Sequence, residues 1–226
     1  MRCSKGTYIR VLAARMGYNG PYVAGLVTLS TILGVASLPF ALSLVRQIVG
    51  RFGRLRSAGA VRLRAELVAW LETLAAKLGV EVSFVDNPDD PESWRKAVKP
   101  NTKAFFGETI ANPRNDLLDI AAVAKVAHDV GVPLIVDNTL ASPLLCQPFK
   151  WGADVVVHSC TKFIGGHGTS LGGVVVESGR FDWGRGKFPH FTEPVASYGG
   201  LKFWENFGEY AFCTKLRVEQ LRDVGA

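Results

Sequence analysis

The chain has 226 residues, 48% of them hydrophobic and 20% charged, which suits one good-sized globular core with room for a second small unit. Its net charge of +6 is unevenly placed: residues 1–70 carry ten Lys/Arg and one acid, Glu66, whereas residues 71–226 carry sixteen Lys/Arg against nineteen acids. The four cysteines, at 3, 146, 160 and 213, form no CxxC pair and have no histidine at ligand spacing. That argues against a disulfide framework or a metal site, and for reduced thiols in a cytoplasmic protein.

Residues 1–59 read as an atypical basic N-terminal segment, and 60–226 as a separate α/β domain. Tyr22 to Val45 contains no charge, and Arg46, Arg51, Arg54 and Arg56 follow it directly. Length and flanks fit a membrane span, but Gly25, Gly34, Pro39 and several hydroxyl residues dilute the hydrophobicity, so a span is the less favoured reading. The arginines flank an apolar run and do not alternate with stacking aromatics, so no nucleic-acid partner is expected. Leu63, Leu67, Trp70, Leu71, Leu74 and Leu78 recur at helical spacing, with Gly79 placed as a C-cap.

Beyond Gly79 the pattern alternates between the two periods. Residues 81–85 read as a strand, 87–90 as a turn and 91–98 as a helix. A strand over 103–107 leads into Glu108-Thr-Ile-Ala-Asn-Pro113. Residues 116–130 read as a helix, with Leu117, Leu118, Ala121, Ala122 and Val126 as packing positions. Apolar strands end at Asp137 and at His158, and 172–177 reads as the last strand. Strands alternating with helices predict a mostly parallel sheet flanked by helices, with ligands at the C-terminal ends of its strands.

Three residues fall just beyond such ends. Lys162 follows the strand at 153–158 between Ser159-Cys-Thr161 and a glycine-rich turn, Gly165-Gly-His-Gly168. A lysine there can form a Schiff base with a carbonyl cofactor, and the two hydroxyls can hold a phosphate; the competing reading is a surface lysine beside a loop. Asp137 closes the preceding strand, either as the carboxylate that keeps a pyridoxal ring nitrogen protonated or as a helix N-cap. Asn112 could reach a ring hydroxyl or a substrate carboxylate, although Asn-Pro alone is a turn signal. His158 and His167 either touch the same region or satisfy backbone groups.

The strings Glu108-Thr-Ile-Ala-Asn-Pro113, Ile135-Val-Asp-Asn-Thr139 and His158-Ser-Cys-Thr-Lys-Phe-Ile-Gly-Gly-His-Gly168, in this order and spacing, resemble the Cys/Met-metabolism family of pyridoxal-phosphate enzymes. The resemblance covers about residues 74–226 and implies an incomplete fold-type-I large domain joined to an unrelated N-terminal segment. It also implies Lys162 as the Schiff-base lysine, Asp137 on the ring nitrogen, Ser159 and Thr161 on the phosphate, and Asn112 near the ring hydroxyl. The stretches Gly179-Arg-Phe-Asp-Trp183 and Ser197-Tyr-Gly-Gly200 point to the sulfhydrylase branch. Such enzymes replace the γ-acyl group of O-acetylhomoserine, a small amino-acid substrate, with sulfide or a thiol in methionine biosynthesis, as homo-oligomers. The alternative is a catalytically incomplete large-domain fragment, since residues 1–73 match none of the family's early site segments and the chain ends where its C-terminal domain begins.

Overall fold

The computed structural model describes residues 80–111 and 115–223. The expected span at 22–45, the helix over 60–78 with its cap at Gly79, and Asn112 all lie outside the described residues. Among those described, no helix is long and apolar enough to cross a membrane.

Four strands form one sheet in the order β1 (Phe105–Glu108), β2 (Leu134–Asp137), β3 (Val155–Ser159) and β4 (Gly173–Glu177). β1 pairs with β2 and β2 with β3 in parallel, whereas β4 runs antiparallel to β3, with Gly173 opposite Ser159 and Glu177 opposite Val155. The sheet is therefore mostly parallel, as its apolar runs predict, with one reversed edge. Apolar side chains of successive positions point to opposite faces, so these strands need a core on each side.

One core lies under α1 (Pro91–Lys96) and α2 (Ile120–Asp129). It takes Phe105, Leu134, Val136 and Val156 from the sheet and Trp94, Ile120, Val123 and Ala127 from the helices. Asp90 caps α1 by accepting from the Glu92 N–H at 3.0 Å, and the Trp94 indole donates to the Pro88 carbonyl at 2.9 Å. The helix expected over 116–130 starts later, because Leu117 is bridged to Ile110 and the Asp119 carboxylate caps Ala122 at 3.0 Å. The buried face is accordingly Ile120, Val123, Ala124, Val126 and Ala127, while Leu117 is exposed and Ala121 faces outward. Over 81–85 only Ser83 joins a β-bridge, in place of the expected strand.

The opposite face is covered by the chain after β4, with α4 (Pro189–Thr192), α5 (Phe203–Phe207) and α6 (Ala211–Leu216) following α3 (Ser142–Leu145) in chain order. Ile135, Val155 and Val175 of the sheet meet Phe181, Trp183, Phe188, Phe191, Phe203 and Phe212 there. α2 and β3 are drawn together near Gly152, whose φ of +97° belongs to the left-handed region and whose added Cβ would lie 2.9 Å from the Ala124 methyl. Gly152→Ala is expected to cost about 1–2 kcal/mol, from the backbone penalty and the clash together. A urea midpoint unchanged by that substitution would contradict it.

Candidate active site

The sheet presents its chemistry at the C-terminal ends of β2 and β3. Ile135 and Val155 belong to the core under α4–α6, so by strand alternation Asp137, Val157 and Ser159 share that face. Asp137 stands beside Glu108 and Val157 in register. Its Oδ1 accepts from the Thr139 N–H at 2.8 Å, a two-residue Asx turn that ends the strand. Burial raises the Asp137 pKa, and hydrogen bonds from the Thr139 hydroxyl and N–H pull it back. The carboxylate caps this turn and no helix, since Ala141 stands at the N-cap of α3.

Asn138, on the other face, is fully buried and serves the loop backbone. Its Oδ1 accepts from the Thr109 hydroxyl at 2.8 Å, and its Nδ2 donates to the Ser142 and Cys146 carbonyls at 3.1 and 2.9 Å. Together with Asn138 N–H to Val157 O at 2.9 Å, these bonds fix the residue on either side of it. Asn138, Thr139 and Thr109 stand inside the quoted strings, but only a cross-strand view reveals their work.

β3 ends at Ser159, whose N–H donates to the Thr139 hydroxyl oxygen at 2.8 Å. The Ser159 hydroxyl has no hydrogen-bond partner among the described residues. Cys160–Ile164 then form a distorted π turn, in which Lys162 departs from helical geometry with φ −89° and ψ −121°. Gly165 N–H closes the turn onto the Cys160 carbonyl at 2.8 Å, and a Cβ on Gly165 would lie only 2.5 Å from that oxygen. Thr161 is tied back: its hydroxyl accepts from Gly172 N–H at 3.0 Å and donates to Gly172 O at 3.3 Å. Lys162 is exposed, and its amine has no partner among the described residues. The Cys160 thiol is pushed up by burial, and so is a poor nucleophile beside it.

His158 lies on the α1–α2 face, where its neighbour Val156 packs. Burial pushes it down to about 4 against an opposing pull from the Asn138 backbone, and neither ring nitrogen completes a hydrogen bond among the described residues. It therefore stands on the face opposite Asp137 and Ser159. His167 is exposed in the glycine turn. Among the described residues no group of His, Cys, Asp or Glu is arranged to hold a metal.

A carboxylate at one strand end, with an amine just beyond the next and a hydroxyl between them that both lack partners among the described residues, forms a donor set of the kind pyridoxal phosphate requires. Residues 67–198 match the Cys/Met metabolism PLP-dependent enzymes. The chain belongs to that family. Among its relatives, the O-acetyl-L-homoserine sulfhydrylase of Leptospira meyeri is 58% identical over 157 residues, which are 66% of this chain and 35% of that protein. The enzyme of the same name from Corynebacterium glutamicum is 57% identical over 155 residues, with the same shares of each chain. A solved Campylobacter jejuni structure described as an O-acetylhomoserine (thiol)-lyase superposes with a TM-score of 0.70 at 27% identity. It covers 84% of this chain and 47% of its own, and it carries N'-pyridoxyl-lysine-5'-monophosphate. The O-acetylhomoserine sulfhydrylase of Wolinella succinogenes gives a TM-score of 0.62 at 29% identity, over 84% of this chain and 50% of that one. The family thus confirms the PLP-dependent class and the α/β fold, while the chain spans about a third of the length of these curated relatives.

Proposed function

We propose that this chain contributes the lysine-bearing part of an enzyme that replaces the γ-acyl group of O-acetylhomoserine with sulfide or a thiol. The reading is carried by the Lys162 amine, unpartnered among the described residues at the sheet rim, on a strand end joined through Thr139 to the acid Asp137. Support for the substrate comes from the names of the two bacterial relatives at 57–58% identity.

Pyridoxal phosphate, when bound, supplies an electron sink for charge developing on the substrate carbon. Asp137 would hold the proton on the ring nitrogen with its carboxylate. Lys162 Nζ would hold the cofactor through its carbonyl carbon, and the same amine would move protons at the substrate Cα and Cβ. Ser159, whose hydroxyl has no partner among the described residues, would offer it to the phosphate. Thr161 joins it only by turning its proton away from the Gly172 carbonyl, a long 3.3 Å contact. Asn112 is assigned to the ring hydroxyl. The free Cys146, Cys160 and Cys213 fit a cytoplasmic enzyme, and exposed Leu144, Leu145, Phe163 and Leu171 on the segments leaving this rim fit a homo-oligomer.

Treating the full chain with one equivalent of pyridoxal phosphate, reducing it with borohydride and mapping the product tests the reading. The pyridoxyl label is expected on Lys162. Label spread over exposed lysines such as Lys125 and Lys150, or none in a folded sample, would overturn the assignment.

A further inference from the structure

β2 and β3 stop pairing through their backbones at one rung, where Asn138 N–H donates to Val157 O at 2.9 Å. The next amide of β3, Ser159 N–H, finds no carbonyl across from it and uses the Thr139 hydroxyl oxygen instead, at 2.8 Å. A side chain thus stands in for one backbone acceptor of the ladder. Having accepted from Ser159, that hydroxyl still has one proton to give, on the residue whose own N–H already reaches the Asp137 Oδ1 at 2.8 Å.

We propose that Thr139 is a positioning residue whose hydroxyl couples the Asp137 carboxylate to the Ser159 amide, holding the acid and the lysine turn as one unit. The inference rests on the cofactor reading above for its purpose, although the coupling itself exists without the cofactor. Burial works against a charged Asp137, and only a charged Asp137 can hold the ring-nitrogen proton. Thr139 places its N–H on the carboxylate at 2.8 Å, and a proton donated by its hydroxyl adds a second bond that favours the charged form. A threonine serving only as a β-branched spacer would be replaceable by valine, which has the same shape and no hydroxyl.

The full chain without cofactor decides the matter by carbon NMR of labelled aspartate carboxyls and by amide spectra. In the unmodified chain, the Ser159 amide shift is expected to follow the same titration midpoint as the Asp137 carboxyl. Thr139→Val should raise the proton affinity of Asp137 about tenfold and speed hydrogen exchange at the Ser159 amide. Thr139→Ser should restore both. An Asp137 midpoint that valine leaves in place, or one that serine fails to restore, would overturn the coupling. Should the valine variant fail to fold, the unmodified chain still decides, because a Ser159 amide blind to the Asp137 titration overturns it too. Pyridoxyl mapping at Lys162 is independent: a failed label with an intact titration response removes the cofactor reading and leaves the clamp.

Discussion

Trp183→Ala is expected to destabilise the chain by about 3–5 kcal/mol, the range for emptying a buried aromatic site. Trp183 is 2% exposed. Its ring stacks on Phe212 at 5.0 Å and 11° and on Phe191 at 4.9 Å and 28°, and meets the rings of Phe181 and Phe188 edge-on at 4.7 and 5.3 Å. Those four rings come from the segment after β4, from α4 and from α6, so the indole joins three stretches that have no backbone ladder between them. Truncation removes the apolar area and leaves a cavity ringed by rigid planes that cannot close on it. Trp183→Phe should cost less, about 1–2 kcal/mol. Trp151, 57% exposed, is the control: its alanine variant should stay within about 0.5 kcal/mol. Urea unfolding followed by circular dichroism measures all three, and a Trp183→Ala loss no larger than the Trp151→Ala loss would remove the ring cluster as the organiser of this core.

The second large effect is hidden in the unmodified chain. Glu177, 2% exposed, accepts from Cys213 N–H at 2.9 Å through Oε1, while Oε2 has no partner among the described residues, and burial raises its pKa to about 7. The fold therefore keeps a proton that an ordinary glutamate releases near 4.5; this stability is full below that pH and is lost as pH rises through about 7. His158 is the reverse case. Lowered to about 4 from the ordinary 6.5, it is neutral in the fold, so its contribution is full above about 6.5 and is lost as pH falls through about 4. Between about 4.5 and 6.5 the two slopes oppose, and together they leave the unmodified chain nearly level. Glu177→Gln should uncover the histidine, with stability falling by on the order of 2–3 kcal/mol as pH drops across that interval. His158→Phe should uncover the glutamate and fall in the opposite direction. His128, raised by its hydrogen bond to Asp154 at 2.8 Å, changes its contribution above 6.5, outside the interval. Urea midpoints at three pH values separate the curves; a Glu177→Gln curve parallel to that of the unmodified chain would refute the assignment.

The strands that carry the candidate site were readable because each is a short apolar run closed by a polar residue. Asp137 and Lys162 therefore fell where a parallel sheet exposes its strand ends. Helix α2 was displaced because its boundary depends on Leu117 pairing with Ile110, a contact that periodicity does not encode. The reversed direction of β4 was equally invisible, since valines look the same in either orientation. Thr139 escaped notice for a related reason: its value lies in an amide twenty positions away. Trp183 drew attention as a mark of one family branch, yet in the fold it is the hub of a core.

The reversal of β4 also shapes how the lysine is carried. A parallel neighbour would require the chain to travel back along the sheet before pairing, whereas here residues 160–172 leave and re-enter at the same rim, as a hairpin arm. The arm is pinned at its root by Ser159 opposite Gly173 and by Thr161 bonded to both backbone groups of Gly172. Lys162 sits one residue beyond that pin, Leu171 faces it one residue before the return, and His167 lies at the far end of the exposed arm. As with any lever, displacement grows with distance from the fulcrum. The free end can swing or change in sequence while the amine at its base keeps its address relative to Asp137.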